Sequence, residues 1–206
     1  MEHTTKERLL DTAERLFAAQ GFDAVSIRQI VADAGVNLAS VHYHFKSKEA
    51  LFDAVVMRKA TPVNDERLAM LDRAEAEAAG KPLPVEKTLE AFLIPTFSKV
   101  EREPHIAKLM GRIHAEGIMA RLMRTHFQPV VIRFQAALQR ALPALPPDEL
   151  LIRLQFLLGA MVSALNVAAR DGLTVQHREP YIGRLIVFLA AGLRAPAYKP
   201  AKGKSL

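Results

Sequence analysis

The chain has no cysteine among its 206 residues. Disulfides, thiolate metal sites and cysteine nucleophiles are therefore excluded. A long uninterrupted apolar run is also missing. The longest, Phe156 to Ala169, contains Ser163 and Asn166 and falls short of the roughly 18 residues that a membrane span requires. The N-terminal residues Met1-Glu2-His3-Thr4-Thr5-Lys6-Glu7-Arg8 are too polar for a signal peptide. No membrane association is expected, and a cytoplasmic protein is. Enzymatic signatures are absent as well. There is no Gly-x-Ser-x-Gly, no P-loop and no Gly-x-Gly-x-x-Gly. None of the seven histidines follows a glutamate by three positions, which removes the Glu-x-x-His ligand pair of di-iron helical bundles. His105, His114 and His126 are too irregularly spaced for a metal site. No catalytic residue, cofactor or metal is expected.

What remains is an ordinary globular composition, with 50% hydrophobic and 24% charged residues. That is enough to bury a sizeable core. The formal charge of +6 invites a nucleic-acid partner, yet its distribution does not support one. Residues 1–60 carry eight Lys/Arg and eight Asp/Glu, whereas the stretch 194–206 holds Arg194, Lys199, Lys202 and Lys204 without an acid. A basic, solvated tail over 196–206 is the simplest account.

The remainder reads as helix. Thr4-x-x-Glu7 and Ser26-x-x-Gln29 are capping-box patterns. Leu9, Ala13, Leu16 and Phe17 recur on one helical face, and Ile27, Ile30, Val31 and Ala34 on the next. Gly21 and Gly35 stop these two helices. Asn37 and Ser47 are N-caps for a third and a fourth. Gly80-Lys81-Pro82-Leu83-Pro84 is the clearest break. Further helical runs are punctuated by Pro104, Pro129 and Pro143 to Pro147, with Gly172 closing one and Pro180 opening the last. The runs Leu150–Ala169 and Ile182–Leu193 are apolar nearly all round and must be covered on every side. Two such helices favour a symmetric homodimer over a monomeric bundle. The expected interface residues are Leu154, Leu158, Met161, Val162, Leu185, Phe188 and Leu189.

Two short helices joined by a glycine turn over 26–45 match a helix-turn-helix. The second presents small residues at its start and an aromatic and imidazole group beyond, with Val41 and Phe45 inward. Small side chains let a helix enter the major groove, and polar rings at its rim can bond phosphates. The run Gly35-Val36-Asn37-Leu38-Ala39-Ser40-Val41-His42-Tyr43-His44-Phe45-Lys46-Ser47-Lys48-Glu49-Ala50-Leu51 resembles the signature of the TetR family of bacterial transcriptional regulators. Upstream, Ala13-x-x-Leu16-Phe17-x-x-x-Gly21-Phe22 and Ser26-x-x-x-Ile30-x-x-x-Ala34-Gly35-Val36 fit it too. The likeness covers residues 5–58. A narrower one, carried by Asn37–Phe45, Pro146-Pro147-x-Glu149-Leu150 and Phe188–Gly192, is to the fatty-acid-responsive, PsrA-like branch.

The resemblance implies an all-α fold. A helix-turn-helix DNA-binding domain (1–58) would be joined by a long helix to a helical ligand-binding and dimerisation domain (59–195). Ser26 and Arg28 would lie near phosphate and a groove edge, although Ser26 is an N-cap in any case. Leu38, Ala39 and Ser40 would face bases, and His42, Tyr43, His44 and Lys48 would contact phosphates. His42 departs from the tyrosine frequent at that position, and a protonated imidazole bonds phosphate better than a neutral one. The partners implied are double-stranded operator DNA, a second copy of the chain and a small hydrophobic effector, fatty acyl compounds included. Ligand binding would release the operator. Candidate ligand residues are Phe92, Met110, His114, Phe127, Phe134 and Gln155, with Arg112 and Asn166 as further polar groups in apolar stretches. Methionine and phenylalanine stripes are more often core than contact. A ligand-binding module without DNA binding and a small helical enzyme are the rival readings.

Overall fold

The computed structural model describes residues 4–171 and 175–198. Among them there are ten α-helices and no strand. Helix α1 (Thr5–Gln20) opens on a complete capping box, with Glu7 N–H donating to Thr4 Oγ1 at 3.3 Å and Thr4 N–H to the Glu7 carboxylate at 2.8 Å. Gly21 ends it at φ +89°, where a Cβ would lie 2.2 Å from Glu116 Oε1. The backbone angle requires glycine, and a side chain here would also push the Glu116 carboxylate aside. Helix α2 (Ile27–Ala34) is capped by Ser26, which accepts from Gln29 N–H at 3.1 Å. Its capping box is only half made, because the Gln29 amide reaches Gln20 Oε1 at 3.4 Å instead of turning back. Gly35, left-handed at φ +62°, turns the chain into α3 (Leu38–His44), which Asn37 caps.

Helix α4 (Lys48–Glu77) runs unbroken for 30 residues, through residue 58 where the sequence suggests a domain boundary. Pro62 lies inside it. It lacks the amide that would bond the Arg58 carbonyl, so the helix crosses between the two regions with one hydrogen bond missing. Phe17, Phe22 and Phe52 pack edge-to-face beneath α1–α4, with centroids 5.1 Å (Phe17–Phe52) and 5.0 Å (Phe22–Phe52) apart. Such pairs add about 0.5–1.5 kcal/mol beyond burial.

The C-terminal region consists of α5 (Val85–Arg102), α6 (His105–Ala115), α7 (Met119–Leu122), a π-helical turn (Met123–Phe127), α8 (Gln128–Ala141), α9 (Pro147–Asp171) and α10 (Val175–Arg194). Its main core joins Leu89, Leu93 and Phe97 to Leu150, Leu157, Met161 and Leu165 and to Ile182, Ile186 and Leu189. The N-terminal core is not self-contained, since Leu109, Ile113 and Leu122 pack into it. Pro180, expected to open the last helix, lies inside α10, where it costs one hydrogen bond without ending the helix. Gly172, Lys199, Lys202 and Lys204 fall outside the described residues. Arg194 is exposed but belongs to α10 and pairs with Glu86 at 2.5 Å. Residues 147–170 of α9 are long and apolar enough, by length and composition, to cross a membrane, so the apolar stretch is longer than the sequence reading allowed. In the fold one side of α9 is the core, through Leu150, Leu157, Met161 and Leu165.

Arg153 anchors the end of α10. Its guanidinium, buried, donates to the carbonyls of Gly192 (2.9 Å), Leu193 (2.9 Å), Ala195 (2.7 Å) and Pro196 (2.9 Å) and pairs with Glu149. The Gly192 and Leu193 carbonyls are among those a helix C-terminus leaves without partners, Ala195 and Pro196 follow just beyond it, and a cation there also meets the negative end of the helix dipole.

Candidate functional site

The helix-turn-helix presents a small exposed face. Leu38 is 47% exposed and Tyr43 78%. Ser26, Arg28, Ala39 and His42 are exposed, and Ser40, His44 and Lys48 are partly so. All nine lie in the 26–48 segment. The Ser40 hydroxyl donates to Asn37 Oδ1 at 2.9 Å, which leaves its lone pairs free to accept. Tyr43 and His44 stand edge-to-face at 4.9 Å. Lys48, first residue of α4, holds its ammonium 4.4 Å from the Phe22 ring centroid, a cation–π placement that limits its freedom. A Tyr43 ring so exposed has no packing role. An apolar, cap-stabilised short helix with polar rings at its end suits insertion in a major groove, with the rings and Lys48 at the phosphates.

Deeper in the molecule, α4, α5, α6, the 119–127 segment, α8 and α9 enclose a cavity of about 720 Å³. That lies in the range of small-molecule sites. Phe92, Met110, His114, Phe127, Phe134 and Gln155 all line it. Phe92 and Phe134 meet edge-to-face at 5.2 Å. His114 and Gln155 keep part of their surface in solvent. Arg112 and Asn166 are not among the lining residues. Arg112 is committed elsewhere, and Asn166 lies against Gly111.

One lining group escaped the sequence reading. Arg67 is buried, 8% exposed, and its partners among the described residues are neutral. Nε donates to the Phe92 carbonyl (2.8 Å), Nη1 to Asn64 Oδ1 (3.0 Å) and Nη2 to Thr96 Oγ1 (2.6 Å). Its guanidinium carbon sits 4.0 Å from the Phe92 ring centroid. Burial alone pushes its pKa down to about 9, so it stays charged at neutral pH. The signal for it was an arginine within the apolar Val63–Arg67–Leu71 register of α4.

Polar junctions tie the cavity walls to α1 and to the start of α4. On α6, Arg112 Nε donates to the Ala18 carbonyl at 3.1 Å and Nη2 to that of Ala19 at 2.5 Å, capping the end of α1. Just beyond, the Glu116 carboxylate accepts from Phe22 N–H at 3.0 Å. Next, Arg121 forks onto Asp53 of α4 at 2.8 and 2.7 Å, and His126 joins at 2.9 Å. Burial works to raise the Asp53 pKa, and Arg121 and His126 outweigh it and hold the carboxyl below its usual range. Finally, Glu14 of α1 meets Arg58, Lys59 and His105, while Lys59 and Lys99 share Glu103. Burial opposes the Glu103 charge, and the two lysines hold its pKa down at about 2. Glu14, Glu103 and His105 bring one potential metal-ligand atom each within 4.8 Å of the others. Arg58, Lys59 and Lys99 already balance those carboxylates, so the cluster is complete as an ion-pair network.

The expected dimer residues divide. Phe188 is 69% exposed, and Leu154, Leu158 and Leu185 are half-buried against the chain's own core. Met161, Val162 and Leu189 are buried at 1%, 3% and 7% exposure and present no surface to a partner. Apolar periodicity could not say which side of an all-round apolar helix faces inward. The exposed large apolar residues are Leu151, Ile152 and Phe156 on α9 with Val187 and Phe188 on α10, of which Phe188 alone was expected.

Residues 9–55 match the family model described as "Bacterial regulatory proteins, tetR family", and residues 90–192 match "Tetracyclin repressor-like, C-terminal domain". Among curated relatives, the HTH-type transcriptional regulator AcrR of Shigella flexneri is 29% identical over 98 residues, 48% of this chain and 44% of that protein. BetI of Rhizobium meliloti is 29% identical over 136 residues, 60% of this chain and 64% of that one. Coverage of the first three relatives' own lengths runs from 16 to 44%, less than half of each. A TetR-like transcriptional regulator from Rhodococcus sp. RHA1 superposes with a TM-score of 0.62 at 17% identity, over 95% of this chain and 99% of that one. The fatty acid degradation regulator FadR from Bacillus halodurans gives 0.56 at 16% identity, over 95% and 100%. These likenesses extend the fold over nearly the whole chain. With the C-terminal family model covering half of it and the N-terminal one spanning the helix-turn-helix, the protein belongs to the TetR family of bacterial regulatory proteins.

Proposed function

We propose that the chain is a homodimeric, cytoplasmic transcriptional repressor that binds operator DNA through α2 and α3 and lets go when a largely apolar effector fills the cavity. The observation that carries this reading is shared structure. Helices α4 and α6 and the 119–127 segment line the cavity and also hold α1 and the start of α4, on which α2 and α3 pack, through Asp53–Arg121–His126, Arg112–α1 and Glu116–Phe22. A ligand that repositions Met110, Met123 or Phe127 acts on the same backbone that orients α1 and α4. The π turn at Met123–Phe127 and Pro62 in α4 are places where a helix has fewer regular hydrogen bonds to give up.

Mechanistically this is a population shift. In one state the two copies hold their α3 helices about one DNA turn apart, or a multiple, and bind two half-sites. In the other, the separation is wrong. Leu38 and Ala39 supply apolar contacts to thymine methyls, Ser40 a hydroxyl, and Ser26, Arg28, His42, Tyr43, His44 and Lys48 the phosphate register. The second copy packs on Ile152, Phe156, Val187 and Phe188, an apolar face that a lone chain leaves in water. Leu154, Leu158 and Leu185 would contribute from its edges.

Fluorescence anisotropy of the purified protein against a labelled fragment from upstream of its own gene tests the reading. Saturable binding that survives competitor duplex at physiological salt, and falls when hydrophobic compounds are added, is expected. Binding that competitor or salt abolishes, both there and after selection from random DNA, would refute it.

A further inference from the structure

The cavity carries a charge pattern that an apolar lining alone would not need. Lys59, Arg67, Lys99 and Arg124 line it, and no Asp or Glu does among the described residues. Lys59 and Lys99 are balanced from outside the wall by Glu14 and Glu103. Arg67 is not balanced. Its described partners are two side-chain oxygens, a carbonyl and the Met161 sulfur at 3.9 Å. A buried cation without a counter-ion is costly. Five N–H donors meet three oxygens and one sulfur here, so one N–H is left without a described partner.

A second observation is independent of the first. Thr88 is buried at 1% exposure, lines the cavity, and its hydroxyl has no hydrogen-bond partner. Thr88, Phe92 and Thr96 follow one another at one-turn spacing on α5. Arg67 lies on Phe92 and bonds Thr96, so the orphan hydroxyl belongs to the same stripe as the unbalanced charge. Beyond this corner, Leu89, Phe134, Leu138 and Met161 make the wall apolar.

We infer that the effector is an amphipathic organic acid, whose carboxylate is received by the Arg67 guanidinium, with the Thr88 hydroxyl one turn beyond Phe92 offering a further donor along the same stripe, while its apolar body fills the rest of the cavity. Arg67 and a carboxylate form a charge-assisted pair in a site of low dielectric, where such pairs are strongest. The ligand thereby supplies the counter-ion the protein lacks. Neutral compounds of the same shape would leave the cation unpaired. This inference rests on the cavity being the effector site, as proposed above.

The test needs no DNA. The neutral fluorophore N-phenyl-1-naphthylamine reports occupancy of the cavity, and decanoate and 1-decanol compete for it. Decanoate is expected to displace the fluorophore from the wild type at least tenfold more effectively than decanol. Arg67→Gln should bring that ratio close to one, Arg67→Lys should restore part of it, and Thr88→Val, which removes no existing hydrogen bond, should lower it about threefold. Decanol displacing as well as decanoate overturns the inference, even where the fluorophore binds and operator binding is intact. No fluorophore binding, or displacement by neither compound, overturns it together with the cavity as an effector site. Operator binding measured separately by anisotropy keeps the DNA reading distinct from both.

Discussion

The exposed helix α3 and the cavity place their candidate groups in opposite ways. On α3 the groups lie within a few residues of one another, and Asn37 and Phe45 fix their orientation from either end of a single short helix. The cavity draws its lining from residues 56 to 161, on helices whose contacts form only when the chain has folded. Charge differs as well. The helix-turn-helix surface keeps Arg28 and Lys48 in or near solvent, where a phosphate would find them already exposed. The cavity holds Arg67 out of water with neutral partners only. Exposed cations gain little from any one partner, whereas a buried one is decided by its partner. The first region therefore suits a polyanion read by shape and many contacts, and the second a ligand read by one.

Changing one region while reading the other breaks or sharpens this contrast. The largest effect is expected from Ala39→Glu, which puts a carboxylate on the exposed face of α3. Operator affinity should drop by about 100-fold or more, as like charges face each other across an interface, with cavity occupancy by a fluorescent probe unchanged. Loss of both would show that the two regions do not act separately. Next in size is the double change Phe156→Glu with Phe188→Glu. Sedimentation velocity should show a monomer, and operator affinity should fall by roughly 100-fold as the second half-site contact is lost. A variant that sediments as wild type would move the interface elsewhere.

Arg153→Met tests whether the far end of the fold depends on long-range polar anchoring. It leaves four carbonyls at the end of α10 without their donor, and urea unfolding should show a loss of about 2–4 kcal/mol. An unchanged midpoint would mean that water replaces the arginine fully.

The smallest effect concerns the bridge between the regions. Glu14, Asp53 and Glu103 are each held below their ordinary pKa, Glu103 at about 2. Their folded values lie below their unfolded ones, so the stability they contribute is complete above about pH 4.5 and is lost as pH falls toward 2. Glu103→Gln should cost about 1 kcal/mol at neutral pH. The variant should lose less than the wild type across that window, the two curves converging at its acid end. Parallel acid limbs in urea-midpoint measurements would exclude Glu103 from the bridge.

The legible parts of the molecule are those whose cause is local. The caps at Thr4, Ser26, Asn37 and Ser47 and the stop at Gly35 each involve residues within a few positions of one another. So does the inward turn of Val41 and Phe45 that leaves Leu38, Ala39 and Tyr43 outside. Half of the Ser26 box failed for a non-local reason, because Gln20 from the preceding helix offered Gln29 another partner. Pro180 misled because a helix tolerates one missing donor when the rest of its face is buried by Ile182, Ile186 and Leu189.

By itself, then, the sequence determined the helical class, the helix-turn-helix and its exposed face, since caps, glycines and periodicity act over three or four residues. It also supplied the apolar side chains of the cavity, though not the reason they surround a space. Only the tertiary structure decided which sides of α9 and α10 stay uncovered, and hence that Met161, Val162 and Leu189 are core. Burial of an amphipathic or all-apolar helix depends on neighbours far away in the chain. The charged groups behave likewise. Arg67, Arg112, Arg121 and Arg153 look alike in sequence, yet one faces a cavity with no acid among its described lining residues, two bind the cavity walls to α1 and α4, and one holds the end of α10. A long flexible cation has no fixed role until the fold decides which acceptors lie within its reach and how much water is left around it.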